Sequence, residues 1–328
     1  MFLAEDFLPG AVMARLTEIR VGDPEYAFRA AQERERRERI APSGRLNILA
    51  ADHPARGVTK VGENPLAMAD RRDYLARILR VLSAEGVDGV MATMDVIEEL
   101  LILDGILRED GRAPSLNRKL LIASLNRGGL AGSAWELDDP ITGPLPATCA
   151  AWHLDGAKFL LRIASEEPDS LKTMLAAARA IRECNALRLP MFLEPLPAAR
   201  TGSGWTVKKD RESLARIAGV ASALGDSSRY LWLKLPYCAG FETVARSTSL
   251  PILLLGGESA GNPAPFLTEL ASALRSGPNV RGALVGRNVL YPGSGDPRAM
   301  ARAVSGIVHQ SWPVERAIQS LQTEAGGV

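Results

Sequence analysis

The chain is poor in the residues that metal and disulfide chemistry need. Its 328 residues include only three cysteines, Cys149, Cys184 and Cys238. They are widely spaced, odd in number and contain no Cys-x-x-Cys pair, which argues against a disulfide framework or a structural zinc site. Reduced thiols and a cytoplasmic location are the expectation. Three histidines, His53, His153 and His309, barely suffice for the histidine cluster of a catalytic zinc centre. There is no Gly-x-Ser-x-Gly elbow and no Walker-type phosphate loop. Charge of one sign is also missing: 39 basic against 38 acidic residues give a net charge of +1, so no broad nucleic-acid footprint is expected. No run of about 18 apolar residues predicts a membrane helix. The first residues, MFLAEDFLPGAVMARL, carry early acids and no basic segment before the apolar stretch, so no secretory signal is expected.

What the chain does have is core. Hydrophobic residues make up 46% and charged residues 23%, a globular composition. The length suits one α/β barrel of about 250 residues with additions. Residues 1–44 read as an N-terminal helical extension. Within it Pro24 to Ile40, PEYAFRAAQERERRERI, predicts a helix with a solvated face across one end of the barrel. A basic binding arm is the alternative, disfavoured by the interleaved glutamates.

From Arg45 the pattern becomes regular. Apolar runs at 45–53, 87–95, 119–126, 156–163, 189–196, 230–237, 250–257 and 282–289 suit buried parallel strands. Between them, 65–86, 168–187, 264–276 and 297–310 carry apolar residues at helical spacing. Strand and helix repeating about eight times predict a closed (β/α)8 barrel over 45–328 rather than an open sheet. The least regular stretch, LDDPITGPLPATCAAWH, predicts a long loop with a short helix between the third and fourth strands. The tail, WPVERAIQSLQTEA, predicts a further helix whose last residues fray.

Such barrels work at the C-terminal ends of their strands. Polar residues there are few: Asp52 and His53 on the first strand, Asn126 and Arg127 on the third, Lys158 and Arg162 on the fourth, Glu194 on the fifth and Lys234 on the sixth. Side chains two apart share a face, so Lys234 lies with Trp232 and Pro236, and Lys158 with Leu160 and Arg162. Buried charges of both signs are costly unless paired. A lysine in this apolar setting beside a second cation loses affinity for its proton, and a neutral amine can attack a ketone to form an iminium. A lysine snorkelling to solvent is the bland alternative. Gly256 and Gly257 after the seventh strand, and Gly286 and Arg287 after the eighth, suit a phosphate at the usual place in this fold. Tight turns explain the glycines equally well. His153 and His309 fall away from that mouth. Trp135, Trp152, Trp205, Trp232 and Trp312 are scattered, as packing residues are.

The ordered stretches AADHPARG, GAKFLLRI, PMFLEPLP, LWLKLPY, PILLLGGES and GALVGRNVLYPGSGDPRAM resemble the class I aldolase superfamily that includes tagatose-bisphosphate, archaeal-type fructose-bisphosphate and deoxyribose-phosphate aldolases. The resemblance spans Ala50 to Met300. It implies that Lys234 is the Schiff-base lysine and that Lys158 tunes it or touches substrate. It implies that Asp52 and Glu194 bind hydroxyls or move protons, and that Gly256, Gly257, Gly286 and Arg287 cradle a phosphate. Arg56, Asn126 and Arg162 join them as candidate substrate contacts. The chain departs from the pattern at His53-Pro54, where glycine is usual, and at PAARTGSGWTV (197–207), a segment that could form a lid.

The function implied is retro-aldol cleavage of a phosphorylated ketose or keto sugar acid. Candidates are a ketose bisphosphate or 2-deoxy-5-keto-gluconate 6-phosphate. No metal or cofactor is called for, and a homo-oligomer is expected. A sugar-phosphate-binding barrel without turnover, or another Schiff-base enzyme of transaldolase or dehydratase type, stays open.

Overall fold

The structure, a computed structural model, describes residues 2–112, 116–202, 204–259 and 261–323. Its strands are β1 (Leu46–Ala51), β2 (Gly89–Ala92), β3 (Leu120–Ser124), β4 (Gly156–Ile163), β5 (Met191–Thr201), β6 (Gly204–Val207), β7 (Leu231–Pro236), β8 (Ile252–Leu255) and β9 (Val280–Val285). Eight of them are parallel. They run β4-β3-β2-β1-β9-β8-β7-β5, and pairing of β4 with β5 closes the ring into a (β/α)8 barrel. The ninth, β6, pairs antiparallel with the far end of β5 outside the ring. The sixth barrel strand is therefore β7.

All eight expected barrel strands are present, but the apolar runs overstated some of their lengths. The second ends at Ala92, and Met94 already starts a helix to Glu109. The eighth ends at Val285, before a short helix Arg287–Leu290. The helix expected from 65 starts only at Arg71, because the Asp70 side chain accepts from the Asp73 N–H and caps it there. Asp210, Asn262 and Asp296 cap the helices Arg211–Ser222, Pro263–Arg275 and Pro297–Gln310 in the same way. The long third-to-fourth connection holds the short helix Pro146–Ala151. The tail helix runs Val314–Thr323; the fraying expected beyond it lies outside the described residues.

Alternation along the strands separates two cores. One face packs the outer helices. The other fills the barrel with Leu46, Ile48, Met91, Ile122, Phe192 and Leu284, and the Phe192 and Trp232 rings lie 6.0 Å apart within it.

The extension departs from expectation. The helix predicted to Ile40 stops at Glu33. Beyond it, Arg34, Arg36 and Arg37 pair with carboxylates of the barrel, while Arg39 stays exposed. Arg34 is buried and bonds Asp155 (2.7 Å) and the carbonyls of Lys119 and His153. Arg36 reaches Asp155 and Arg37 reaches Asp88. These partners precede β2, β3 and β4. The segment therefore crosses the N-terminal end of the barrel, where Ile40 and Ala41 pack under the inner core. Fixed ion pairs at near-buried carboxylates outweigh the helical propensity of the arginine run.

Candidate active site

At the opposite end, a cavity of about 670 Å³ opens over the C-terminal ends of the strands. Its floor is a chain of alternating charges. Lys234 Nζ lies 3.1 Å from Glu194 Oε1, and Lys158 Nζ lies 2.8 Å from Glu194 Oε2. Lys158 Nζ is also 3.2 Å from Asp52 Oδ2, which in turn meets Arg127 Nη1 at 3.2 Å and the Ser124 hydroxyl at 3.0 Å. Each residue arrives for a local reason. Lys158, Glu194 and Lys234 occupy inward positions of β4, β5 and β7, and Asp52 immediately follows β1. Asp52, Glu194 and Lys234 line the cavity, whereas Lys158 is wholly buried beneath it.

The electrostatics follow from this order. Burial pushes Glu194 up, but Lys158 and Lys234 overcome it and bring the carboxyl down to about 2. Burial raises Asp52 as well; Arg127, Lys158, His53 and Lys234 nevertheless hold it well below the usual carboxylate range. Lys158 is shifted downward by burial, against the pull of Asp52 and Glu194. Burial likewise brings His53 down to about 3, so the imidazole is neutral at physiological pH; its Nδ1 is shielded and has no partner among the described residues.

The glycine turns lie on the other side of the mouth. Gly256, Gly257, Gly286 and Arg287 all line the cavity. Gly257 has φ +66°, a conformation that favours glycine. A Cβ on Gly286 would sit 2.5 Å from the Ala50 carbonyl and against the His53 ring. Arg287 is paired at 3.3 Å with Glu258, whose side chain is almost fully exposed.

Three candidate residues are placed as follows. Arg56 lines the cavity, bonded to the Gly129 carbonyl (3.1 Å) and facing Glu136 at 3.4 Å. Burial, with Arg162 and Arg127 nearby, lowers it to about 10. Arg162 points away from the cavity floor and binds Glu136 and the Gly129 carbonyl. Asn126 does not face the cavity: its amide donates to the Asp139 and Leu160 carbonyls and accepts from the Leu160 N–H. The structure thus corrects the placement of Asn126 and Arg162 as direct substrate contacts. Both brace the loop between β3 and β4.

Sequence reasoning noted Arg127 at a strand end but left it out of the site. Because β3 ends at Ser124, face alternation no longer applies beyond it, and Arg127 rather than Asn126 meets Asp52. The segment 197–207, expected as a possible lid, is the β5–β6 hairpin; Ser203 in it lies outside the described residues. Thr206 and Val207 of that segment line the cavity, and so does the following Lys209, which no sequence signal indicated. Among the described residues, no three His, Cys, Asp or Glu side chains are grouped to hold a metal ion. None of the described helices is long and apolar enough to cross a membrane.

With this geometry in hand, comparison with known proteins is informative. Cgl0159 of Corynebacterium glutamicum, a solved structure, is 35% identical with a TM-score of 0.86; the match covers 93% of this chain and 99% of that one. A 2-amino-3,7-dideoxy-D-threo-hept-6-ulosonate synthase 1 of Archaeoglobus fulgidus is 24% identical over 292 residues, covering 88% of this chain and 95% of that protein. A Schiff-base-forming fructose-1,6-bisphosphate aldolase shares the fold at 21% identity and a TM-score of 0.60, over 86% of this chain and 100% of the other. The Cgl0159-like family model matches residues 44–305. The chain therefore belongs to the Cgl0159-like family.

Proposed function

We propose that this protein is a class I aldolase that cleaves a phosphorylated ketose or keto sugar acid through a Schiff base on Lys234. One observation carries the reading. Lys234, 5% exposed, lines a polar cavity while its amine touches Glu194, and a second lysine shares that carboxylate from below. A structural lysine would need one partner and no cavity.

The chemistry assigns a task to each group. Lys234 gives up a proton to solvent in the cavity, and its neutral nitrogen, held in place by Glu194, adds to the keto carbon. Loss of water gives the iminium, which draws the electrons of the breaking carbon–carbon bond into an enamine. The proton of the substrate hydroxyl leaves to Asp52 or Glu194, directly or through water. Protonation of the enamine and hydrolysis release the keto fragment and restore the amine. Lys158 keeps both carboxylates anionic between steps. The turns at Gly256–Gly257 and Gly286–Arg287 receive the phosphate through backbone N–H groups and the guanidinium. The named Schiff-base aldolase with this fold supports the assignment.

The test is intact mass after sodium borohydride with dihydroxyacetone phosphate and with a panel of ketose phosphates. Wild type should gain the mass of a reduced adduct and Lys234→Ala should not. Absence of an adduct with every ketose would turn the reading towards a binding barrel without turnover.

A further inference from the structure

Lys119 immediately precedes β3, at the end of the barrel remote from the mouth. It is half-buried, and its amine donates to the Val87 carbonyl at 2.6 Å. Among the described residues it makes no ion pair, although a shielded ammonium is costly without a carboxylate beside it. The carboxylate nearby, Asp88, is already engaged by Arg37 at 2.8 Å, His309 at 2.9 Å and the Asn47 N–H at 2.6 Å. Burial and Arg37 bring the Lys119 amine down to about 8, against the pull of Asp88. At about pH 7.5 such an amine is about a quarter neutral, against about 0.1% for an ordinary lysine.

The surroundings outside are cationic as well. Lys119 lines a crevice of about 540 Å³ beside Phe7, the end of the helix Arg71–Leu82 and the start of the helix Pro297–Gln310. The other charged residues along it are Arg80, Arg112 and Arg298 against Glu85. Arg80 is held by Asp296, and Arg112 stacks over the Phe7 ring. Neither Arg112 nor Arg298 has an ion pair among the described residues. An ammonium at Lys119 is disfavoured by these neighbours, and an anion in its place is favoured.

A small neutral electrophile that turns an amine into an anion gains on both counts, and carbon dioxide is one. We propose that Lys119 is a carbon dioxide-binding residue, which takes the gas as a carbamate in the crevice between Val87 and the surrounding arginines. The neutral nitrogen forms a bond to the carbon, one C=O electron pair moves onto oxygen, and one N–H proton leaves to solvent. Amine and carbon dioxide thus give a carbamate and a proton, with no other reactant. The remaining N–H still donates to the Val87 carbonyl, and the new carboxylate faces Arg37 and the crevice. None of this depends on the aldolase reading, because Lys119 stands at the opposite end of the barrel from Lys234.

Trapping locates the adduct. Protein equilibrated with isotope-labelled bicarbonate at about pH 7.5 is treated with triethyloxonium, which converts carbamates into stable ethyl carbamates, and peptide mass spectrometry finds them. Lys119 should carry at least about ten times the label of the exposed Lys60 and Lys208, a margin well inside the difference in neutral amine. Lys119→Arg keeps the charge and should lose that label. Arg37→Gln should carry about threefold less, because the amine regains its proton and the carbamate loses a counter-ion. Dissolved carbon dioxide should raise the melting temperature of wild type, as a ligand of the folded chain does, and leave that of Lys119→Arg unchanged. Label at Lys119 no greater than at Lys60 and Lys208 overturns the proposal, and this comparison is made on wild type whether or not Arg37→Gln folds. Undiminished label in folded Arg37→Gln, or an equal rise in melting temperature for Lys119→Arg, overturns it too.

Discussion

Lys158 Nζ lies 2.8 Å from Glu194 Oε2, and no part of the lysine side chain reaches solvent. With Asp52 at 3.2 Å on its other side, this ammonium neutralises two near-buried carboxylates. Lys158→Met would leave both short of a partner. Unfolding free energy in urea should fall by about 3–5 kcal/mol, and adding Glu194→Gln should recover part of the loss. A Lys158→Met protein as stable as wild type would mean that the pair contributes nothing to the fold.

His53 sets a pH dependence whose direction can be worked out. Its folded value, about 3, is below the ordinary 6.5, so between those limits the unfolded chain binds the extra proton. Stability is present above pH 6.5 and is lost as pH falls towards 3, with a slope of up to about 1.4 kcal/mol per pH unit from this group. Glu194, brought down to about 2 from an ordinary 4.5, adds its own loss only below about pH 4.5. Urea titrations between pH 7 and pH 5 should therefore show a shallower slope for His53→Gln than for wild type. Identical slopes would contradict a neutral imidazole at His53.

Arg162 supports the loop that carries Glu136, and through Glu136 it supports Arg56. Arg162→Met should cost about 3–5 kcal/mol because Glu136 and Asp139 stay buried without it. Arg162→Met/Glu136→Leu should restore much of this, since both charges then go together. A double-mutant cycle in urea measures the coupling, and additive losses would show that the two residues act separately.

Gly286 touches both the first strand and the proposed phosphate turn. Gly286→Ala places a methyl group against the Ala50 carbonyl and the His53 ring, and the overpacking should cost about 1–3 kcal/mol. Inorganic phosphate should also bind more weakly, because the turn must move. Calorimetric titration with unchanged affinity would remove Gly286 from the anion site.

The barrel was legible because its strands are buried on both faces, so each reads as an unbroken apolar run. Lys158, Glu194 and Lys234 were legible because they interrupt such runs at positions that alternation turns inward. Strand ends were not, since an apolar run does not say where ladder pairing stops. Met94 continues the run of β2 yet starts a helix. Asn126 continues the alternation of β3 yet bridges to β4, leaving Arg127 to meet Asp52. The role of Glu136 in holding Arg56 and Arg162 depends on a loop with no periodicity at all. Arg34, Arg36 and Arg37 looked solvated because the carboxylates that bind them are more than 50 residues away in the chain.

The segment over the other end of the barrel bears on traffic. Ile40 and Ala41 lie beneath a filled interior, so nothing passes through the barrel, and arrival and departure share one mouth. Under the proposed mechanism, a fragment tethered to Lys234 would have no back door to leave by while its sibling goes out of the front. The untethered fragment must clear the rim first, and the order of product release becomes a property of the plugged tube as much as of the chemistry above it.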